Sequence, residues 1–253
     1  MDKRTLVKNF SKYAHTYDKH ADIQRRAAQG LLGLIKKRDI ADILELGSGT
    51  GNYTLLLKKE FAKARIKAVD ISGKMVEVAA EKIKDLSVEF MVEDAETIDL
   101  AGSFDLVTSN ACFQWFEDLD GALVRYKNLL KDDGKILFSI FGPATFHELN
   151  TSLGCLAGGI SAGAGNFVGR EEIKDMLDKN FKKVSVKEVK FKKTFSCLRD
   201  LLNEIKYTGT NGNGLDGKVF FTPRILRRLE EIYLGRFKQI RATYQVFYCF
   251  GER

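Results

Sequence analysis

The sequence predicts an α/β fold on a mostly parallel sheet covered on both faces, and three observations lead there. Five apolar runs too short for helices fall between residues 43 and 141, with helical patterns between them. The first run, Ile43-Leu44-Glu45-Leu46, stops at the turn Gly47-Ser48-Gly49-Thr50-Gly51, and a helical pattern from Tyr53 to Phe61 follows at once. The chain of 253 residues, 44% hydrophobic and 30% charged, is long enough to cover such a sheet as one domain with a sizeable insertion.

Residues 1–41 read as two helices: Leu6, Val7 and Phe10 recur at helix spacing, as do Ile23, Ala27, Leu31, Leu34 and Ile35. Between them a polar, aromatic linker carries Tyr13, Tyr17 and His20, and the whole segment is placed to act as a lid or simply to pack. Alternate glycines at 47, 49 and 51 admit positive φ and close backbone approach to a ligand. Glu45, just before them, would repel a pyrophosphate but suits a ligand bearing an ammonium and a sulfonium.

Ile66–Asp70 is the second strand, and Asp70 falls where a carboxylate accepts ribose hydroxyls. Ser72 is placed to cap a helix over Lys74–Lys84. Val88–Val92 is strand three, followed by Asp94, positioned to accept from an adenine amine or to sit in a solvated turn. Phe104–Ser109 is the central strand and leads into Asn110, Gln114 and Trp115; Leu119–Leu130 is helical, and Asp132-Asp133-Gly134 turns the chain into strand five, Lys135–Phe141. Beyond Gly142-Pro143 the spacing predicts a helix, a Gly-rich loop from Gly154 to Gly169, a helix opened by Arg170-Glu171-Glu172, and a strand over Val184–Phe191 with a bulge near Glu188. Residues 198–241 read as helical around a loop at Gly209–Gly214, with Thr222-Pro223 as a cap and first-turn proline, and Thr243–Phe250 is the last strand.

Four separated cysteines and three histidines form no ligand spacing, so no metal site is expected. The longest uncharged stretch, Leu149–Gly169, is too polar for a membrane span, and the charged start lacks a secretory h-region, which points to the cytoplasm. The net charge of +7 is uneven: residues 1–169 carry 22 Lys and Arg against 23 Asp and Glu, and residues 170–253 carry 19 against 11. That excess suits an acidic partner, or a merely solvated surface.

Taken together, Glu45, Gly47, Gly49, Gly51, Asp70, Asp94 and Ser109-Asn110 resemble the class I S-adenosylmethionine-dependent methyltransferases over residues 40–142. The resemblance implies a Rossmann-like seven-stranded sheet whose last strand inserts antiparallel between the fifth and sixth. It also implies S-adenosylmethionine as methyl donor, bound with help from Ile71 and Ala95 beside the two acids and from Tyr17 and Gln24 closing over it. The domain then divides into an N-terminal helical lid (1–41), a cofactor-binding core (42–142) and acceptor-side helical insertions with the last strands (143–253).

A narrower resemblance spans nearly the whole chain. Phe10-x-x-x-Ala14-x-x-Tyr17-x-x-His20-Ala21-x-x-Gln24, Ser109-Asn110-x-x-x-Gln114-Trp115, Lys206-x-x-Gly209 and the Tyr-rich last strand are similar to the malonyl-acyl-carrier-protein O-methyltransferases of biotin biosynthesis. This implies methylation of the free carboxylate of a malonyl thioester held by acyl-carrier protein, with no nucleic acid or membrane partner and no metal. Such an acceptor is already anionic, so no catalytic acid or base is expected. Gln114, Trp115 and Lys206 are candidate acceptor contacts, and Arg224, Arg227 and Arg228 on one helix face are candidates for docking the acidic carrier. A methyltransferase for another small acid or a quinone, and a nucleic-acid-binding protein on the same fold, are the alternatives.

Overall fold

The computed structural model describes residues 3–35, 39–156, 164–208 and 222–253. Two helices, α1 (Lys3–His20) and α2 (Asp22–Leu32), precede β1 (Asp42–Leu46), α3 (Asn52–Glu60), β2 (Arg65–Asp70), α4 (Gly73–Lys82), β3 (Val88–Val92) and β4 (Phe104–Asn110). Then come a 3₁₀ turn (Phe113–Trp115), α5 (Leu119–Asn128), β5 (Leu130–Phe141), α6 (His147–Leu156), α7 (Arg170–Asn180), β6 (Lys182–Phe195), α8 (Leu198–Tyr207), α9 (Pro223–Phe237) and β7 (Ile240–Glu252). The strands form one seven-stranded sheet in the order β3-β2-β1-β4-β5-β7-β6. Strands β1 to β5 pair in parallel, and β7 runs antiparallel to both neighbours.

Alternation along each strand sends side chains into two cores. In β1, Ile43 joins the core made with α2, α3, α6, α8 and α9, whereas Leu44 and Leu46 join the core made with α5 and α7. Glu45 therefore points to the same face as Ile43. Both expected caps are present: Ser72 Oγ accepts from the Met75 N–H at 3.3 Å, and Thr222 Oγ1 from the Ile225 N–H at 3.3 Å, ahead of Pro223.

Three local expectations are corrected. The linker around Tyr13, Tyr17 and His20 is instead part of the continuous helix α1, which ends only at Ala21. Asp132-Asp133-Gly134 lies inside β5, where Phe104 faces Leu130 but Leu106 faces Lys135, so the extra residues bulge rather than turn. Gly134 is needed there, since a Cβ would lie 2.9 Å from backbone atoms of Lys131 and Phe104. The irregularity in β6 falls between Lys182 and Ser185, not at Glu188, whose carboxylate accepts from Gln245 Nε2 at 2.8 Å. The Gly-rich segment is described only at its ends, and Gly209–Gly214 lies outside the described residues.

Insertion helix α6 is fastened to β7 by Glu148, which is 2% exposed. Its Oε2 accepts from the Thr243 N–H at 2.9 Å, its Oε1 from Thr243 Oγ1 at 2.7 Å, and Arg241 Nε stands 3.2 Å away. Removing a partner from a buried charged network leaves the rest unsatisfied, so Glu148→Ala is expected to cost about 3 kcal/mol in denaturant unfolding. Arg241→Ala, which removes a partly exposed cation, should cost less.

Candidate active site

The carboxyl ends of β1, β2, β3 and β4 open into a solvent-accessible cleft of about 680 Å³, at the point where strand order reverses between β1 and β4. The glycine loop forms its floor. Gly47 and Ser48 N–H groups both donate to the Val69 carbonyl, at 2.8 and 2.9 Å, and Gly51 N–H closes the turn on Ser48 O at 2.9 Å. All three glycines have positive φ, of 74°, 54° and 80°. A Cβ on Gly47 would meet Cys112 at 2.4 Å and one on Gly51 would meet Ala79 and Ile83, whereas one on Gly49 would meet nothing within 4 Å. Gly47 and Gly49 both line the cleft, and at Gly49 alone of the three a side chain would have open space.

Asp70 locks this loop to β2. Its Oδ2 accepts from the Gly49 N–H at 2.8 Å and its Oδ1 from the Ser72 N–H at 2.9 Å, leaving each oxygen a further lone pair toward the cleft. Burial raises its carboxyl above the usual range, and the two N–H donors oppose the rise. Ile71, Met75, Ala95, Trp115 and Phe116 line the same cleft beside Asp94.

Helix α1 lies across the opening. At one end Lys3 Nζ reaches Asp94 Oδ2 at 2.5 Å and Glu96 Oε2 at 2.7 Å. Mid-helix, the Ser11 and Ser72 hydroxyls are 2.9 Å apart. At the other end Asp18 accepts from Thr50 Oγ1 at 2.5 Å, Asn52 Nδ2 at 2.8 Å and Lys82 Nζ at 2.7 Å. Although burial opposes it, these donors, Lys82 first, hold the Asp18 carboxyl below its ordinary range. Leu6, Phe10 and Tyr17 face inward as cleft lining.

Past Tyr17 the cleft continues into a second space lined by Gln24, Arg25, Ser48, Thr50, Asn52 and Tyr53. Glu45 lines neither, lying behind the loop; its buried oxygens make no well-formed hydrogen bond, and burial, opposed by the neighbouring Thr54 hydroxyl and aided by the Asp70 charge, pushes its carboxyl up to about 8. Gln24 also lines a third, tight space with room for about one water, about 10 Å³, walled by Phe141, Phe146, Phe167 and Tyr244, with Thr145, Glu204 and Thr208. Glu204 accepts from Tyr244 Oη at 2.9 Å and pairs with Lys193.

Of the expected site residues, Tyr17, Gly47, Gly49, Asp70, Ile71, Asp94, Ala95 and Asn110 line the main cleft, and Gln24 its continuation. Ser109 is fully buried and its hydroxyl donates to Leu46 O at 2.7 Å, so it ties β1 to β4. Trp115 sits in the main cleft between Phe10 and Phe167 rather than in the third cavity. Gln114 donates its side-chain amide back to Ala111 O at 2.7 Å and lines none of the three spaces described above. Lys206 is exposed on α8, because the helical phase that turns Glu204 and Thr208 inward turns it outward. Glu204 and Thr208 keep step with the buried Leu201 and Ile205, a polar pair on an apolar face that the sequence pattern contained. Lys3, Phe10, Asp18, Arg25 and Cys112 went unnoticed as site residues, since only long-range packing brings them there. Arg224, Arg227 and Arg228 are exposed on α9, Arg228 pairing with Glu231 at 3.2 Å. Among the described residues no cluster of three or more His, Cys, Asp or Glu is placed to hold a metal ion, and no helix is long and apolar enough to cross a membrane.

A family model described as a methyltransferase domain matches residues 44–138. Among solved structures, the YcgJ protein of Bacillus subtilis superposes with a TM-score of 0.64 at 17% identity, covering 90% of this chain and 98% of that one. Phosphoethanolamine N-methyltransferase 2 of Haemonchus contortus, in complex with S-adenosyl-L-methionine, gives 0.59 at 21% identity, covering 96% of this chain and 57% of that one. With the sheet order and the glycine loop, these matches define the Rossmann-like class I methyltransferase fold.

The malonyl-[acyl-carrier protein] O-methyltransferase 2 of Ilyobacter polytropus is 35% identical, covering 92% of this chain and 90% of that protein. The malonyl-[acyl-carrier protein] O-methyltransferase of Acetivibrio thermocellus is 32% identical, covering 100% and 95%. The chain belongs to the malonyl-[acyl-carrier protein] O-methyltransferase family.

The contrast between the glycines is testable. Gly49→Ala should cost the free protein only about 1 kcal/mol, the strain of a left-handed alanine, while lowering donor affinity at least tenfold in calorimetric titration. Gly47→Ala, which adds a clash with Cys112, should lower the melting temperature markedly as well.

Proposed function

We propose that this enzyme transfers a methyl group from S-adenosylmethionine to the free carboxylate of a malonyl thioester on acyl-carrier protein. The observation that carries this reading is the third space: tight, aromatic-walled, sharing Gln24 with the donor-side space, and holding no uncommitted general base. A hydroxyl or amine acceptor would need to lose a proton, whereas a carboxylate is already the nucleophile. The family membership supports the same acceptor.

The cleft's chemistry suits the donor. Asp70, with a free lone pair on each oxygen, would take the ribose hydroxyls; Asp94 the adenine amine; Ile71 and Ala95 the ring. Gly47, Gly49, Tyr17 and Asn110 would bracket the methionine portion, with Arg25 as counter-charge to its carboxylate. The donor supplies a sulfonium-bound methyl group, which leaves with no proton transfer. The chain's own part is alignment and removal of water from the carboxylate, effects worth roughly 7–11 kcal/mol when orientation is complete. Helix α1 closes the donor side, and the walls Phe141, Phe146 and Phe167 dry the acceptor side.

For the carrier, the exposed Arg224, Arg227 and Arg228 offer the positive face. Mass spectrometry of malonyl-acyl-carrier protein, malonyl-coenzyme A and free malonate with enzyme and donor tests both claims. One methyl gained on the carrier-bound malonyl group is expected. Reversing the three arginines should raise KM for the carrier substrate about tenfold while leaving malonyl-coenzyme A unaffected. No methylation of any malonyl species by enzyme that binds the donor would overturn the acceptor assignment.

Glu45 makes donor binding pH-dependent. Burial pushes its carboxyl up to about 8 in the free protein, and a cationic donor in the cleft, on the other side of the glycine loop, favours the ionised form, so binding releases a proton. Affinity for S-adenosylhomocysteine should therefore rise between about pH 6 and pH 7.5, and Glu45→Gln should remove that rise, leaving only the ligand's own titration. The same substitution should stabilise the free protein near neutral pH, where the native fold must otherwise keep a carboxyl protonated that ionises freely when unfolded.

A further inference from the structure

We propose that the side-chain amide of Gln24 is the group that recognises the acceptor's carboxylate, an inference that rests on the acceptor assigned above. Gln24 lines both the donor-side space and the tight aromatic-walled space, so its side chain borders the two places where methyl donor and nucleophile must be brought together. The other polar groups of the acceptor cavity are engaged. Thr145 Oγ1 donates to Gln245 O at 3.2 Å and accepts from the Gln245 N–H, also at 3.2 Å. Thr208 Oγ1 donates to Glu204 O at 2.8 Å. Tyr244 Oη donates to Glu204, whose other oxygen holds Lys193. Gln24 contributes its backbone carbonyl to Asn110 Nδ2 at 3.1 Å, but its side-chain amide has no hydrogen-bond partner among the described residues.

No Lys, Arg or His lines the acceptor cavity. The negative Glu204 on its far wall turns an anionic substrate end away from α8, toward the junction. There a primary amide offers two N–H donors without a full positive charge. It orients the carboxylate while leaving its electron density available, where an ion pair would hold the nucleophile in the ground state. Gln24 sits in the first turn of α2, whose next residue, Arg25, faces only the donor space, so one turn of helix divides its polar groups between the two substrates.

The experiment compares Gln24→Ala and Gln24→Glu in the full chain, using malonyl-acyl-carrier protein and its neutral carboxamide analogue as ligands. S-Adenosylhomocysteine binding, measured by calorimetry, serves as the separate donor readout and as a test of folding. Gln24→Ala should lower kcat/KM about ten- to a hundredfold, as for loss of a hydrogen bond to a charged group, with donor affinity changed less than about twofold. Gln24→Glu should bind the carboxamide analogue more tightly than wild type does while losing the malonyl substrate, a reversal of charge preference that a structural role would not produce. Loss of donor affinity equal to the loss of kcat/KM, or unchanged preference between the two ligands, overturns the assignment to Gln24. Failure of the wild-type enzyme to methylate any malonyl species overturns the acceptor reading itself.

Discussion

The active cleft depends on one carboxylate held by two backbone N–H groups. Asp70 joins the middle of the glycine loop, through Gly49, to the start of α4, through Ser72. Those bonds turn three permissive glycines into one defined surface, and they aim the remaining lone pairs of Asp70 outward. The cost of burying the charge is visible in its raised carboxyl, and the two donors compensate part of it. Ser72 also caps α4 with its side chain, so the helix start, the strand end and the loop form one rigid corner.

Charge is distributed with the chemistry. The main cleft is lined by two acids, Asp70 and Asp94, and Glu45 lies behind its glycine loop. In the tight third space Glu204 is paired with Lys193 and accepts from Tyr244, and aromatic rings make up most of the remaining wall.

Much of this was legible in the sequence, for a local reason. Strand β1, the glycine turn, Asp70, the Ser72 cap and the Thr222-Pro223 start are relations over a few residues, set by alternation, φ and cap chemistry. The sheet order followed once those units were strung together and matched to a known architecture. What escaped is long-range. Lys3 and Asp94 are 91 residues apart, Asp18 and Lys82 are 64, and Glu204 and Tyr244 are 40. Lys206 drew notice through its charge, although helical phase, read from Leu201 and Ile205, selects Glu204 and Thr208 as the inward residues. The tyrosine-bearing stretch of α1 looked like a linker because Tyr13, Tyr17 and His20 break a simple apolar stripe; their partners are Phe10, for Tyr17, and Tyr207 of α8, which stacks on His20 and meets Tyr13 edge-on.

The fastening of α1 bears on turnover. An 18-residue helix lies across the cleft and is held to the core at both ends, so widening the opening requires breaking one set of ties. Its ties are partly exposed ion pairs, which dissolved ions weaken, whereas the dry methyl-transfer step is shielded from them. Dissolved salt would therefore loosen the helix that covers the cleft while leaving the buried corner of Asp70, Gly49 and Ser72 in place.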